Sequence, residues 1–87
     1  ESVKAAVTYL AALNPDWRKN ISEINVGDLN AITAYTTEGL PLHLGNTQDL
    51  DKKAQLTENM VTDVKTRGVN AQYLDVNIGA PYIKVAQ

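Results

Sequence analysis

The chain has 87 residues, 44% of them apolar and 21% charged, which is an ordinary composition for one compact globular domain. Its net charge of −2 disfavours a nucleic-acid binder, because such proteins normally carry a basic excess. It contains no cysteine, which excludes disulfides, thiolate metal ligands and a cysteine nucleophile, and no apolar stretch approaches the roughly 20 residues that cross a bilayer.

The first predicted element is an amphipathic helix over residues 3–13. Apolar side chains recur there at the i, i+3, i+4, i+7 spacing of one helix face. Pro15 is expected to end the helix, and Trp17 is expected to cover one end of the core. The predicted apolar stripe consists of Val3, Ala6, Val7, Leu10 and Leu13.

Three short strands are predicted next. Residues 24–26, 31–36 and 40–44 alternate between apolar and polar side chains, which is the period of a strand with one buried face. A hairpin turn is expected at residues 37–39, since Gly39 tolerates a positive φ.

Residues 48–67 predict a second and longer helix, which Gly68 is expected to end. Two further strands are predicted at residues 73–78 and 82–85, joined by a turn at residues 79–81. The predicted buried side chains of these elements are Leu50, Ala54, Met60, Val61 and Val64 in the helix, with Leu56 at its margin, and Leu74, Val76, Ile78, Ile83 and Val85 in the strands.

The predicted order of elements is therefore α-β-β-β-α-β-β. Every strand has one apolar face, and two amphipathic helices need a surface on which to lie. We therefore expect an α+β fold, in which both helices pack on one face of a mostly antiparallel five-stranded sheet. Residues 1–87 are expected to form a single domain.

The polar residues do not form a catalytic pattern. His43 is the only histidine and lies on the polar face of a strand, while Ser2 and Ser22 lack the sequence context of an activated nucleophile. Asp49 and Asp51 are better explained by the positive end of a helix dipole than by a metal ion. The sequence predicts no catalytic residue, no cofactor and no metal, which disfavours a small hydrolase.

Tyr73 and Tyr82 have two possible roles. Both are expected on the sheet face opposite the apolar residues of their strands. Either they pack beneath a helix or a segment outside this chain, or they form an amphipathic patch for a partner, since tyrosine is enriched at interface centres.

Four segments carry a family resemblance: residues 39–45 read GLPLHLG, 49–53 read DLDKK, 73–77 read YLDVN and 80–85 read APYIKV. In this order they resemble the C-terminal β domain of the bacterial cell-division proteins FtsQ and DivIB. In that family a G-x-x-x-x-L-G strand precedes a long helix that begins with an Asp and a Lys around a leucine. Asn77 stands where the family usually has Arg.

The resemblance implies a non-enzymatic scaffold of the divisome, the assembly that builds the division septum. It implies partners of the FtsB/DivIC and FtsL type, one of which adds a strand to the last strand of the domain. It also implies that the chain is a piece of a longer single-pass protein, with a transmembrane helix and a POTRA domain upstream and this domain on the extracytoplasmic side of the membrane.

The predicted partner-binding site lies on the last two strands. Lys84 is expected to protect the open edge against self-pairing. The alternative is an unrelated α+β adaptor or a homodimerisation module that uses the same edge. The predicted partner-binding residues are Tyr73, Asp75, Asn77, Tyr82, Ile83, Lys84 and Val85.

Overall fold

A computed structural model of the protein describes residues 2–86. Each predicted helix and strand is present, and one short helix, α2, is additional, so the order is α-α-β-β-β-α-β-β. Pro15 suits the first position of α2, and the Asn14 side chain accepts a hydrogen bond from the Asp16 N–H at 3.1 Å. Trp17, in α2, is half-buried against the core, as expected. The elements are α1 Ser2–Ala12, α2 Pro15–Arg18, β1 Ile21–Asn25, β2 Ile32–Thr36, β3 Pro41–Gly45, α3 Leu50–Arg67, β4 Ala71–Asp75 and β5 Tyr82–Val85.

The sheet has five strands in the order β1-β2-β3-β4-β5, which confirms the α+β class. The prediction of a mostly antiparallel sheet is wrong, because the sheet is mixed: β3 and β4 pair in parallel, while the other three pairs are antiparallel. The reason is the position of α3. This helix carries the chain back along the sheet, so β4 starts at the same end as β3.

One face of the sheet, the inner face, is covered by α1 and α3. Strand residues alternate between this face and the uncovered outer face, as the period of two requires. The buried side chains of the inner face join those of the two helices in one core cluster. The cluster consists of Ala5, Tyr9, Leu13, Ile32, Ala34, Leu42, Leu44, Leu50, Ala54, Val61, Val64, Leu74 and Val76.

Helix α1 is rotated relative to the prediction. Val3 and Val7 are 75% and 57% exposed, so their placement in the buried stripe was wrong. Ala5 and Tyr9 occupy the buried side instead, with Leu13 just beyond the helix. Tyr9 contributes a large buried ring, and its hydroxyl is hydrogen-bonded to a side chain of α3. The prediction missed Tyr9 because it considered only aliphatic residues.

Helix α3 follows the predicted stripe and extends it. Lys53 and Thr57 are buried within it, whereas Met60 is half-buried. The helix ends as predicted at Gly68, which has φ 66°, and a Schellman motif forms because the N–H groups of residues 68 and 69 donate to the carbonyls of residues 65 and 64. At the other end Asp49 adopts φ 55° and its side chain makes no capping hydrogen bond.

Two predicted core positions near the end of the chain are exposed. Ile78 is 40% exposed because β4 ends at Asp75 and the chain then turns away from the sheet. Val85 is 53% exposed, since it lies near the end of a strand with a neighbour on one side only. Ile83 is half-buried and packs against the core.

Candidate functional site

Strand β5 forms one edge of the sheet and pairs with β4 alone, while β1 forms the other edge. The predicted partner-binding residues lie along this margin. Tyr73 and Asp75 are on β4, and residues 82–85 form β5. Asn77 belongs to the segment that connects the two strands.

The direction of the β4 backbone groups follows from one hydrogen bond. The N–H of Val76 donates to the carbonyl of His43 at 2.9 Å, so the N–H and C=O groups of Val76 point toward β3. Successive residues of a strand direct their N–H and C=O groups to opposite sides. Tyr73 and Asp75 therefore direct theirs toward β5, where they pair with residues 84 and 82.

The same alternation shows which backbone groups of β5 are open. The Ala86 N–H donates to the Asn70 carbonyl at 2.8 Å, so Ala86 faces β4, as do residues 84 and 82. Ile83 and Val85 lie between these positions, so their N–H and C=O groups point away from β4, along the open edge. We call these four groups the open rim. Two residues before Ile83 along the chain stands Pro81, which has no N–H to offer at this edge.

An aromatic ladder crosses the outer face from the sheet centre to this edge. It consists of His43 on β3, Tyr73 on β4 and Tyr82 on β5. The His43 and Tyr73 rings are stacked, with centroids 4.3 Å apart and planes 21° apart. Tyr73 and Tyr82 meet edge to face at 6.0 Å, and their hydroxyls are hydrogen-bonded at 2.9 Å. Both tyrosines thus lie on the face away from α1 and α3.

The contact between the tyrosines changes the acidity of the outer one. The hydrogen bond to Tyr73 is the main cause that raises the pKa of Tyr82, with smaller contributions from partial desolvation and from the charges of Tyr73 and Asp75. The contact with Tyr73 therefore favours the protonated, neutral form of Tyr82.

A second feature, at the carboxyl ends of β3 and β4, was not predicted. A polar cavity of about 270 Å³ opens there. Lys53 lines it while only 6% exposed, and its Nζ donates to the Asn46 carbonyl at 3.0 Å and to Asn46 Oδ1 at 3.2 Å. Burial lowers the pKa of Lys53, against the opposing charge of Asp49. The cavity is lined by His43, Leu44, Gly45, Asn46, Lys53, Asp75 and Asn77.

The sequence did contain a signal for the burial of Lys53. Buried positions of α3 fall at residues 50, 53, 54, 57, 61 and 64, which is a regular helical stripe. A prediction from apolar residues alone misses Lys53 and Thr57, although both lie at positions of this buried stripe.

Within residues 2–86, no three His, Asp or Glu side chains are grouped so that they could hold a metal ion. None of the helices that the structure describes has the length and apolar character needed to cross a bilayer.

Comparison with models of protein families gives a match over most of the chain. The family model described as "Cell division protein FtsQ/DivIB, C-terminal" matches residues 1–77. No curated protein and no solved structure matches the chain. The match includes α1 to β4 and ends before β5. Since it spans 77 of the 87 residues, the chain belongs to the family of FtsQ/DivIB C-terminal domains, a family of cell-division scaffold proteins.

Proposed function

We propose that this chain is a protein-interaction domain of the divisome that binds its partner by strand addition at β5. The observation that carries the proposal is the open rim, in which Ile83 and Val85 offer unpaired N–H and C=O groups along a sheet edge. Membership of a cell-division family supports the biological setting.

Strand addition gives each part of this margin a role. The open rim hydrogen-bonds the backbone of the incoming strand and contributes affinity, while alternate side chains of that strand contribute selectivity. On the outer face those side chains lie beside Tyr82 and Lys84, and on the inner face they lie beside Ile83. The side chains of Tyr73 and Asp75 lie on β4, one strand further from the edge.

Asn77 shapes the approach to β5. Its Oδ1 accepts a hydrogen bond from the Gly79 N–H at 3.0 Å, so the side chain helps to form the turn between β4 and β5. An arginine at this position, as is usual in the family, would offer a partner a charge that Asn77 does not.

The remaining parts of the proposal concern the whole protein. Residues 1–87 are one β domain of a longer membrane-anchored protein and act on the extracytoplasmic side of the membrane. The partners are of the FtsB/DivIC and FtsL type, and the domain acts as a scaffold rather than as an enzyme.

Val85→Pro tests the open rim directly. Proline removes an N–H that faces away from β4, and edge strands tolerate proline at such positions, so we expect the fold to be retained. Isothermal titration calorimetry with a peptide from the extracytoplasmic end of the FtsB/DivIC partner should show a loss of affinity of about tenfold or more, which corresponds to roughly 1.4 kcal/mol.

The matched control is Val85→Ala, which shortens the same side chain and keeps the N–H. Its affinity should stay within about threefold of the wild type, because a half-exposed rim side chain contributes little. If Val85→Pro is folded by circular dichroism and binds as tightly as Val85→Ala, the partner does not pair with β5.

A further inference from the structure

Strand β5 is weakly attached to the rest of the domain. It has four residues, and residues 77–81 before it are all exposed. Within β5 only Ile83 is even half-buried, whereas Tyr82, Lys84 and Val85 are exposed. A short edge strand with so few buried contacts is expected to detach locally without unfolding the core.

On the outer face, the main side-chain attachment of β5 is the aromatic ladder. Tyr82 meets Tyr73 through both its ring and its hydroxyl, and Tyr73 is fixed from the other side by its stacking on His43. The ladder thus connects the central strand β3 to the edge strand β5. Cross-strand aromatic pairs of this kind are a main source of side-chain stabilisation in sheets.

We propose that Tyr73 and His43 are positioning residues, which hold β5 against β4 so that the open rim is formed before the partner arrives. The inference rests on the proposed function and refines it, since it separates residues that touch the partner from residues that prepare the edge. Tyr82, Ile83, Lys84 and Val85 belong to the first group, and the two inner ladder residues belong to the second.

The role of the ladder follows from a simple equilibrium. A partner that pairs only with the docked form of β5 binds with an apparent affinity reduced by the docked fraction. From the usual contribution of an aromatic cross-strand pair, we expect the docking equilibrium of β5 to weaken about three- to tenfold when the ladder is disrupted. The affinity for the partner then falls by at most the same factor, because a strand that is mostly docked loses a smaller share of its docked fraction.

The first experiment needs no partner. Hydrogen exchange measured by NMR reports how often the inward-facing amides of Lys84 and Ala86 are released from β4. In Tyr73→Phe, which keeps the ring and removes only the hydrogen bond to the Tyr82 hydroxyl, these amides should exchange about three- to tenfold faster, while the amide of Val61 in α3 is unchanged.

Tyr35→Phe is the matched control, because Tyr35 lies on β2, outside the ladder. It should leave the Lys84 and Ala86 amides unchanged. If those amides exchange at wild-type rates in both Tyr73→Phe and His43→Ala, the ladder does not hold β5 and the inference is overturned.

The second experiment separates positioning from direct contact. Ala71 and Val85 face each other across β4 and β5, so Ala71→Cys with Val85→Cys allows a disulfide to lock the strand in place. When the disulfide is reduced, adding Tyr73→Phe should weaken binding of the partner peptide, by at most about three- to tenfold. When it is formed, Tyr73→Phe should have no effect.

A loss of affinity that persists in the locked protein would show that Tyr73 contacts the partner, and it would overturn the positioning role. Absence of binding by the wild-type chain would instead contradict the proposed function, while the exchange experiment would still decide whether the ladder holds β5.

Discussion

The hydroxyl of Tyr9 connects the two long helices. It donates to Thr57 Oγ1 at 2.8 Å, and Thr57 in turn donates to the carbonyl of Lys53 at 2.7 Å. Tyr9 is 1% exposed and Thr57 is fully buried. A buried polar group needs such a partner, because an unpaired one costs about 1–3 kcal/mol. The pattern of apolar residues cannot show this pairing, and that is why the rotation of α1 was predicted wrongly.

Removing the acceptor should destabilise the domain more than removing the donor. Tyr9→Phe loses one hydrogen bond and should lower the free energy of unfolding by about 1 kcal/mol. Thr57→Val leaves the Tyr9 hydroxyl buried without a partner and should cost about 1–3 kcal/mol. Urea denaturation measures both, and the double variant should cost less than the sum. Strict additivity would contradict the contact.

The raised pKa of Tyr9 implies that the domain loses stability at high pH. Burial raises the pKa of Tyr9 from 10.0 to about 12, although the hydrogen bond to Thr57 acts in the opposite direction. The neutral phenol is favoured in the folded state, so its contribution is complete below pH 10 and is lost as the pH rises through 12. The full effect is at most about 3 kcal/mol. The urea midpoint should therefore fall between about pH 10 and 12, and it should fall less in Tyr9→Phe. Equal slopes in the two proteins would refute this.

At the scale of elements, local signals predicted the ends of the two long helices well, and the ends of β1 and β4 and the strand pairing less well. Gly39 and Gly68 mark a turn and a helix end because both adopt the positive φ that glycine tolerates. The parallel pairing of β3 with β4 has no local signal, since it depends on where α3 returns the chain. The twofold alternation identified the buried faces of β2 and β3, where both neighbouring strands are present, and failed at Val85 on the edge.

Gly68→Ala tests the end of α3. A Cβ at Gly68 would contact nothing within 4 Å, so any effect comes from the backbone, whose φ is 66°. We expect a loss of about 1 kcal/mol in the free energy of unfolding, from the strain of a left-handed alanine. Gly79→Ala is the matched control, since φ there is not positive and the nearest atom outside its chain neighbours is 3.7 Å away. A loss as large in the control would mean that the strain at Gly68 is not the cause.

At the scale of the whole molecule, the partner-binding site on β4 and β5 stays a prediction, and the sequence did not identify the backbone groups within it. The sheet order places β5 at an edge. The assignment of the open rim to Ile83 and Val85 depends on the register with β4, which the sequence does not specify. The cavity beside Lys53 depends on the meeting of two strand ends with one helix, which are distant in sequence.

The open edge also predicts how the isolated domain behaves in solution. A charged side chain on an edge strand discourages pairing between copies. Replacing the exposed Lys84 with valine removes that charge and raises the β-propensity of the strand. Sedimentation velocity should show stronger self-association of Lys84→Val with rising concentration, whereas Lys84→Arg should behave as the wild type. A wild-type domain that already dimerises through β5 would instead favour homodimerisation as its role.

Pro81 limits how far pairing with a second chain could extend along this margin. Within residues 2–86, Ile83 and Val85 supply the outward N–H groups of β5, and the proline adds none. An added strand that extends past Ile83 toward Pro81 would meet no donor there, whichever of its residues arrives at that position. In a complex formed by strand addition, donation from this domain would therefore stop at Ile83 on that side, independently of the side chains that the added strand carries.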